Sequence, residues 1–201
     1  IIKAKNTEIP LPPLPEQKRI VAILDEVFAE ISQAVANAEK NLANARELFE
    51  SYINSVFTQK GEGWVQKRLG DVCEIGDGNY SSKYPKASEF VSEGVPFLTA
   101  TNLKKGTINS KKIRFISKEQ HFILTKGHIR EGDLVIVVRG SSTGNCSIVP
   151  KEYDGSNLNS QLAFLRSVSD LSKSYLFYAF ISPMIQDQVK AAISGSAQPQ
   201  L

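Results

Sequence analysis

Residues 15–57 read PEQKRIVAILDEVFAEISQAVANAEKNLANARELFESYINSVF, and this stretch decides the organisation of the chain. Its apolar residues are spaced alternately four and three apart, which places them along one side of a helix in the a/d pattern of a coiled coil. We predict one helix of roughly 65 Å, at about 1.5 Å per residue. The predicted pairing seam consists of Val21, Leu24, Phe28, Ile31, Val35, Ala38, Leu42, Ala45, Phe49, Tyr52 and Val56. Because the sequence contains no second helix of that length, the seam predicts a partner chain or a missing part of this one.

A proline-rich segment precedes the helix. In IPLPPLP, residues 9–15, each proline fixes φ and turns the preceding residue away from the helical region. Pro15 suits the first helical position, and Glu16 lies in the first turn, where the helix dipole favours a carboxylate. Gly61 or Gly63 can end the helix in the left-handed conformation. The predicted boundaries are a lead-in at 1–14, a helix at 15–60 and a second domain at 61–201.

After the helix the pattern changes to short apolar and β-branched runs separated by turn residues. The runs VCEI, VPFLTA, KIRFI, DLVIVV, CSIV and LAFLR lie within residues 64–166 and are typical of strands. Residues 171–193 favour helix again: SYLFYAFI is aromatic and aliphatic, and Ser182-Pro183 has the cap and first-turn residues of a further short helix. We predict an α+β protein, in which a long coiled-coil helix joins a mainly β domain with short C-terminal helices.

The composition is that of an ordinary globular protein. Of the 201 residues, 41% are apolar and 22% are charged, which allows one or two domains with a core. No run approaches the roughly eighteen apolar residues of a membrane span, and the N-terminus is unlike a signal peptide, so we expect a cytoplasmic protein. Cys73 and Cys146 lack metal-site spacing, and we predict buried free thiols. Because the chain starts at Ile1 and its one methionine is Met184, we expect a fragment or a trimmed chain.

The net charge of +3 is unevenly distributed. Residues 16–57 carry four Lys and Arg against seven Asp and Glu, a net charge of −3. Residues 58–201 carry eighteen against thirteen, a net charge of +5. Because Lys and Arg on one face attract phosphate, the surplus points either to a bound polyanion or to an ordinary solvated basic surface. Charge alone leaves both open.

The sequence contains no motif for catalysis or for a cofactor. The glycine-containing residues 76–81, GDGNYS, lack the Lys-Ser/Thr ending of a P-loop and the third glycine of a dinucleotide fingerprint. His121 and His128 lie seven residues apart and lack the ligand spacing of a metal site. Two histidines, with no serine in a G-x-S-x-G turn, give no sign of a catalytic triad. We predict no catalytic residue, no metal and no cofactor.

Four polar loops and the C-terminal tail carry side chains of the kind that recognise nucleic acid. Arg, Lys, Asn and Gln pair with base edges in the major groove, while Lys and hydroxyl groups hold phosphates. Each loop alone is also explained by ordinary turn chemistry, but four such loops on one basic domain favour a DNA-binding surface. The predicted contacts are Asn79, Tyr80, Ser81, Lys83, Tyr84, Asn102, Lys104, Lys105, Arg139, Ser141, Ser142, Thr143, Asn157, Asn159 and Gln198.

The same segments resemble a known family. Residues 9–31, IPLPPLPEQKRIVAILDEVFAEI, are similar to the conserved helix of the specificity (S) subunit of type I restriction-modification systems, where a proline-rich lead-in precedes a long coiled-coil helix. Residues 64–201, from WVQKRLGDVCEIGDGN to GSAQPQL, resemble one target recognition domain of that family, including its LGD start and its Gly-x-x-Gln-Pro tail. The chain therefore resembles half a subunit, with one conserved helix and one recognition domain where family members usually have two of each.

The resemblance implies a role in recognition without chemistry. S subunits of this family lend sequence specificity to adenine methyltransferase (M) subunits and, through them, to an ATP-dependent restriction (R) subunit. For this chain the resemblance implies double-stranded DNA with a bipartite target, M and R subunits as partners, and pairing with a second copy or another half-subunit. Residues 1–14 then correspond to the end of a preceding recognition unit. The sequence lacks N/D-P-P-Y/F and F-x-G-x-G motifs, in keeping with this division of labour.

Two other functions remain open from the sequence. The chain could be the recognition domain of a fused restriction-methyltransferase enzyme, whose catalytic motifs would lie in adjoining sequence. It could also be a coiled-coil interaction protein whose β domain binds protein rather than DNA. The salt dependence of DNA binding separates this last function from DNA recognition, because phosphate contacts release counterions.

Overall fold

The structure is a computed structural model. It describes residues 6–80, 82–104, 106–168, 170–194 and 200–201. The chain divides into two compact units, Ile1–Ser51 and Tyr52–Leu201. This division falls inside the long helix, so the last turns of the helix belong to the second unit. The predicted domain boundaries after residues 14 and 60 stay predictions.

Helix α1, Leu14–Thr58, is the predicted long helix. Its first turn is tied to the proline-rich lead-in, because Pro13 O accepts hydrogen bonds from the backbone N–H groups of Glu16 and Gln17 at 2.9 and 3.1 Å. The Arg19 guanidinium donates to both carboxylate oxygens of Glu16 at 2.7 and 2.9 Å, and this lowers the pKa of that carboxyl group. Glu16 thus has a defined role in the helix start, as its position in the first turn predicts.

The last turns of α1 contribute to the core of the second unit. Ile53 and Phe57 are buried, and the Phe57 ring packs edge to face against Tyr175 with 5.5 Å between centroids. The helix ends at Thr58, and Gly63 adopts a positive φ of 78° in the turn that follows. The left-handed Gly63 therefore lies in the connection that follows the helix and does not cap the helix itself.

The second unit contains a four-stranded antiparallel sheet. Its strands are β1 Cys73–Asp77, β7 Leu134–Val137, β8 Cys146–Ile148 and β10 Leu162–Ser167. They lie in the order β1-β10-β7-β8. All four residues of β7 are buried, because this strand lies inside the sheet and both of its faces are covered. A continuous apolar run, rather than an alternating one, is what such a strand requires.

A second sheet and a hairpin accompany the first sheet. The second sheet is formed by β2 Phe90–Val91, β3 Val95–Leu98, β6 Arg114–Ile116 and β9 Asn157–Leu158. Its order is β2-β6-β3-β9, in which β3 and β9 are parallel and the other neighbours antiparallel. The hairpin pairs β4 Leu103–Lys104 with β5 Thr107–Ile108. These strands of two to four residues are too short to show a periodic pattern, and the sequence predicted only β3 and β6 among them.

Among the described residues, four α-helices belong wholly to the second unit. They are α2 Leu69–Val72, α3 Lys118–Ile123, α4 Lys173–Ile181 and α5 Pro183–Ala192. Ser172 caps α4, since its side chain accepts a hydrogen bond from Tyr175 N–H at 3.4 Å. Ser182 is the N-cap of α5 and Pro183 its first residue, which confirms the cap and first-turn pair in the sequence.

The first sheet is covered on both faces. On one face Val135, Val137 and Phe164 share a buried cluster with Leu98 and Leu158 of the second sheet. On the other face, β-strand residues pack against the C-terminal helices in a second cluster, whose buried members are Cys73, Leu134, Ile136, Cys146, Leu165, Leu176, Phe180 and Val189. The core therefore lies in two layers, one on each side of the sheet.

The two cysteines are free and buried, as predicted. Burial raises the pKa of the Cys146 thiol to about 12 and also raises the pKa of Cys73. A thiol with a raised pKa stays protonated at neutral pH and is a poor nucleophile. Both cysteines act as small apolar residues of the helix-covered layer.

A buried ion pair joins β10 to the residue that precedes β7. Arg166 of β10 donates to both carboxylate oxygens of Asp133, at 2.8 and 2.9 Å, and to Glu74 Oε2 at 3.2 Å. The hydrogen bonds to Asp133 raise the pKa of the Arg166 guanidinium. Asp133 Oδ2 also accepts the backbone N–H of Arg130 at 2.8 Å. The pair thereby fastens the turn before β7 to the neighbouring strand.

The α+β fold class is confirmed: a long N-terminal helix, a β-rich unit and short C-terminal helices. Each of the six predicted runs between residues 64 and 166 contains a strand of the first sheet or of the second. Helix α3 was not predicted, because its six residues contain too few turns for a helical period. Within the described residues, no helix is long and apolar enough to cross a membrane.

Candidate nucleic-acid interface

Three of the predicted loops meet at one end of the first sheet. In the antiparallel register Asp77 of β1 faces Ala163 of β10, and Leu162 of β10 faces Val137 of β7. The segments after β1, after β7 and before β10 are therefore neighbours. Gly78 N–H donates to Leu162 O at 2.7 Å, which ties the first of these segments to the third. Adjacent loops at one sheet end form a surface whose geometry the strands fix.

Four side chains at this end form a group that we name the Tyr80 cluster: the exposed Asp77, Tyr80 and Lys126 and the half-buried Arg139. Lys126 Nζ and Arg139 Cζ each lie 5.4 Å from the centroid of the Tyr80 ring, within the range of cation–π attraction. Tyr80 Oη donates to Asp77 Oδ2 at 3.2 Å, and Lys126 Nζ lies 3.9 Å from the same oxygen. The cluster presents two cations, an aromatic face and one carboxylate on a half-exposed surface.

The loop that carries Arg139 is held by its own backbone. Gly140 has a positive φ of 105°, a conformation that side chains other than glycine rarely adopt. Its carbonyl oxygen accepts hydrogen bonds from Thr143 N–H at 3.1 Å and from Thr143 Oγ1 at 2.6 Å. Ser141 is exposed and Ser142 half-buried at the turn. The predicted hydroxyl residues therefore shape this loop, and Ser141 also faces solvent.

The end of the chain borders the same loop. Arg139 and Gln200 form an isolated β-bridge, and Leu201 N–H donates to Val138 O at 3.0 Å. Gln200 is also joined to Ser194 by two backbone hydrogen bonds of 2.9 Å. These contacts bring the described end of the tail next to Arg139.

Four predicted contact residues are buried rather than exposed: Asn79, Asn102, Asn157 and Asn159. Asn102 Oδ1 accepts hydrogen bonds from Thr99 N–H and Oγ1, both at 2.9 Å. Asn157 Oδ1 lies 2.5 Å from His121 Nδ1, and Asn159 Oδ1 accepts the backbone N–H two residues further on. The amides of Asn102, Asn157 and Asn159 thus hold loops in place, which is the turn chemistry that each loop alone suggested. Because the four amides are buried, the surface proposed below is built on exposed and half-buried residues, and contact of these four with DNA stays a prediction.

Lys83 and Tyr84 differ in exposure. Lys83 is exposed, and its carbonyl oxygen accepts a hydrogen bond from Gln120 Nε2 of α3 at 2.7 Å. Tyr84 is half-buried and packs edge to face on Phe97 with 5.5 Å between ring centroids. Tyr84 therefore belongs to the core of the second sheet, whereas the side chain of Lys83 is exposed.

Lys104 is exposed on the β4–β5 hairpin. The hairpin is attached to the first sheet through Gly106 N–H, which donates to Cys146 O of β8 at 3.0 Å. Since β8 follows the loop of Arg139, Lys104 lies on a neighbouring part of the surface. The other predicted contacts fall outside the described residues: Ser81, Lys105 and Gln198.

Lys126 and Asp77 were missed by the sequence reasoning. Lys126 comes from the loop after α3, far along the chain from Tyr80, and Gly127 brings that loop close to the sheet end. A Cβ at Gly127 would lie 2.8 Å from Leu158 O and 3.2 Å from Asn79 N, and its φ is +77°. In the sequence, Gly127 after Lys126 indicates only that the backbone can pack closely against another segment. It does not indicate which segment that is.

A cavity of about 660 Å³ adjoins the Tyr80 cluster. Asp77 and Lys126 lie at its lining, together with His121 and His128, whose rings are 4.6 Å apart. The fold thus brings into contact two histidines that lie seven residues apart in the sequence. In the described part of the chain, no group of three or more His, Cys, Asp and Glu residues is placed to hold a metal ion.

The predicted pairing seam is a second candidate surface. Each large apolar residue of the seam, from Val21 to Val56, is exposed, and the two alanines are exposed as well. Ile20, Ile23 and Val27 add further exposed apolar area beside the N-terminal part of the seam. The helix therefore carries the unpaired seam that the a/d spacing predicts, and the identity of its partner stays a prediction.

Comparison with protein families gives one match that covers most of the chain. The model described as "Type I restriction modification DNA specificity domain" matches residues 3–40 and 61–201. Among curated proteins, the type I restriction enzyme MjaVIII specificity subunit of Methanocaldococcus jannaschii is 27% identical over 212 residues, which covers 98% of this chain and 49% of that protein. The two matched segments contain the whole Tyr80 cluster and the part of the seam from Val21 to Ala38.

Two solved structures resemble the fold. The HsdS subunit from Thermoanaerobacter tengcongensis aligns with a TM-score of 0.54 and 24% identity, over 92% of this chain and 45% of that one. A structure described as the basis of complex assembly and conformational transition of the type I R-M system aligns with a TM-score of 0.55 and 23% identity, over 88% and 44%. At these identities the likeness concerns the fold. The chain spans about half the length of the relatives that it matches.

Proposed function

The chain belongs to the family of type I restriction modification DNA specificity domains, and we propose that it recognises a specific sequence in double-stranded DNA for a type I restriction-modification complex. Its resemblance to S subunits is thereby confirmed. The recognition surface that we propose is the end of the first sheet, with the Tyr80 cluster at its centre and the exposed Ser141, Lys83 and Lys104 around it.

The observation that carries this surface is the pair of cations on the Tyr80 ring. Arg139 is half-buried and its loop is fixed by backbone bonds, so its guanidinium is presented with little freedom. A guanidinium held in this way suits the bidentate contact with guanine O6 and N7. Lys104 and Lys83 are exposed on more peripheral loops and suit phosphate contacts, which position the protein without reading sequence.

The finer parts of the proposal concern partners. We infer that M subunits bind the chain and that the R subunit is reached through them, so methyl transfer and cleavage occur in partner subunits and the chain itself catalyses no reaction. The seam from Val21 to Val56 pairs with a second copy or another half-subunit. Two recognition domains would then read a bipartite target. A cytoplasmic location stays a prediction.

Selection of duplexes from a random DNA pool tests the proposal, because no target needs to be known in advance. The wild-type chain should enrich one motif, and its affinity should fall steeply with salt as counterions are released. Enrichment without any common motif would contradict sequence-specific recognition. Absence of salt-dependent binding would instead favour a coiled-coil interaction protein, and catalytic motifs in adjoining sequence would favour a fused enzyme.

Variants of Arg139 and Lys104 distinguish a residue that contacts a base from one that contacts a phosphate. Arg139→Lys keeps the charge but loses the planar fork, so discrimination between target and non-target DNA should fall by about 1–3 kcal/mol while the salt dependence stays. Lys104→Ala should weaken binding to both DNAs equally and reduce the slope of log K against log salt by about 1. If Arg139→Lys also weakens both DNAs equally, Arg139 holds a phosphate.

A further inference from the structure

We propose that Asp77 is a specificity-determining residue of the Tyr80 cluster: its carboxylate accepts a hydrogen bond from the exocyclic N4 amino group of a cytosine. Tyr80 is its positioning residue, because its hydroxyl donates to Asp77 Oδ2. Asp77 was not among the side chains that the sequence suggested, since its single negative charge on a basic domain gave no reason to single it out. This role rests on the proposed DNA recognition and names one of the bases that the surface reads.

The position of Asp77 favours contact with a ligand. It is the last residue of β1, so its backbone is fixed by the sheet while its side chain reaches the loops beyond. The side chain is 54% exposed. Both of its contacts, with Tyr80 Oη and with Lys126 Nζ, use Oδ2. In the described part of the chain Oδ1 has no such contact.

A carboxylate is costly on a surface that binds phosphates. It cancels one of the positive charges that Lys126 and Arg139 supply, and therefore weakens binding to any DNA backbone. The cost is offset where a base offers an amino group, because carboxylates accept hydrogen bonds from cytosine N4 in the major groove. A group that disfavours every sequence except one increases specificity rather than affinity.

The contacts of Asp77 suit an exchange of partners. The Lys126–Asp77 pair is 3.9 Å long and more than half of each side chain is exposed, so it contributes little stability. Lys126 can therefore move from the carboxylate to a DNA phosphate at small cost. The Tyr80 hydroxyl remains on Oδ2 and keeps the carboxylate oriented when the lysine has left.

The test repeats the random-pool selection with the whole chain and with two variants of Asp77. Asp77→Ala removes both the charge and the acceptor. It should abolish a cytosine preference at one position of the motif, by about tenfold, and leave the other positions as in the wild type. Asp77→Asn removes the charge but keeps an amide that pairs with adenine N6 and N7, so the preference at that same position should shift from cytosine to adenine.

Asp170→Asn is the matched control for the change in charge. Asp77 pairs with Ala163 at one end of the β1–β10 ladder, and Cys73 pairs with Ser167 at the other end. Asp170 lies three residues after Ser167, the last residue of β10, and is exposed. It is therefore near the opposite end of the sheet from Asp77. Asp170→Asn should select the wild-type motif unchanged.

Three results would overturn the role of Asp77. If both Asp77 variants keep the motif and bind all DNA more tightly by the same factor, the carboxylate only repels phosphates. If several positions lose preference together, Asp77 orders the loops and reads no base. If the wild type itself enriches no motif, DNA recognition fails first and the role of Asp77 fails with it. A further variant, Lys126→Gln, should lower affinity for all sequences equally and preserve the cytosine preference.

Discussion

Helix α1 and the β-rich unit use their apolar residues in opposite ways. Between residues 21 and 51 every side chain of the helix is exposed, although an apolar seam runs along it. In the β-rich unit the apolar runs are buried in three clusters. The β-rich unit thus contains a buried core of its own, whereas the seam is exposed in the part of the chain that the structure describes. Apolar residues in the sequence therefore predict a buried core in the β-rich unit and association with a partner in helix α1.

Two phenylalanines give the largest test of this difference. Phe97 is fully buried and packs edge to face on Tyr84 and Phe90, whereas Phe28 is 61% exposed on α1. Phe97→Ala should lower the free energy of unfolding of the β-rich unit by about 3–5 kcal/mol. Phe28→Ala should change it by less than about 0.5 kcal/mol. Guanidinium unfolding followed by circular dichroism, at concentrations too low for association, measures both, and equal losses would contradict the contrast.

Two ion pairs of nearly equal length sharpen the difference for charged groups. Arg166 Nη2 lies 2.8 Å from Asp133, whose side chain is 2% exposed, and Arg19 Nη2 lies 2.7 Å from Glu16 at the surface. Arg166→Met leaves a buried carboxylate without its partner and should cost about 3–5 kcal/mol of unfolding free energy. Arg19→Met should produce no measurable change, because an exposed pair is solvated when it breaks.

The double variant with Asp133→Asn is the control for the Arg166 experiment. Removing the charge of Asp133 together with Arg166 should recover part of the stability that Arg166→Met loses, because no uncompensated charge is then buried. Asn at this position can still accept the Arg130 N–H that Asp133 accepts at 2.8 Å. If the double variant is as unstable as the sum of the two single changes, the loss comes from packing rather than from the buried charge.

The sequence predicted most of the fold because its main elements leave long or strongly apolar patterns. The a/d spacing of α1 extends over about ten turns, and the four residues of β7, LVIV, are all apolar. Helix α5 has a serine and a proline at its start, which specify the cap locally. By contrast, β9 has two residues and α3 has six, so neither contains a full repeat from which to infer it. The conformation of β9 depends instead on its pairing with the distant strand β3.

The candidate site was only partly predictable, for a different physical reason. Residue type indicates which side chains can bind DNA, but exposure depends on how loops pack. Asn102 and Asn157 have the right chemistry for a base contact, yet both are buried with hydrogen bonds to neighbouring loops. Lys126 resembles any surface lysine in the sequence and reaches Tyr80 only because Gly127 allows a close approach. Contacts between distant residues, rather than motifs, define this surface.

Substitutions in the exposed seam of α1 should have the smallest effect on stability and test whether the seam mediates association. Leu42 and Phe49 lie seven residues apart on the seam and are exposed, so Leu42→Glu with Phe49→Glu should leave the unfolding of the β-rich unit unchanged. Two charges in an a/d seam should prevent pairing, and sedimentation should show a monomer where the wild type associates. Asn37→Glu with Asn44→Glu has the same spacing and charge on the opposite side of the helix, and should associate as the wild type does. A wild type that is already monomeric at tens of micromolar would show that the seam does not pair with a second copy, because an exposed apolar stripe of this length would then be stable in water.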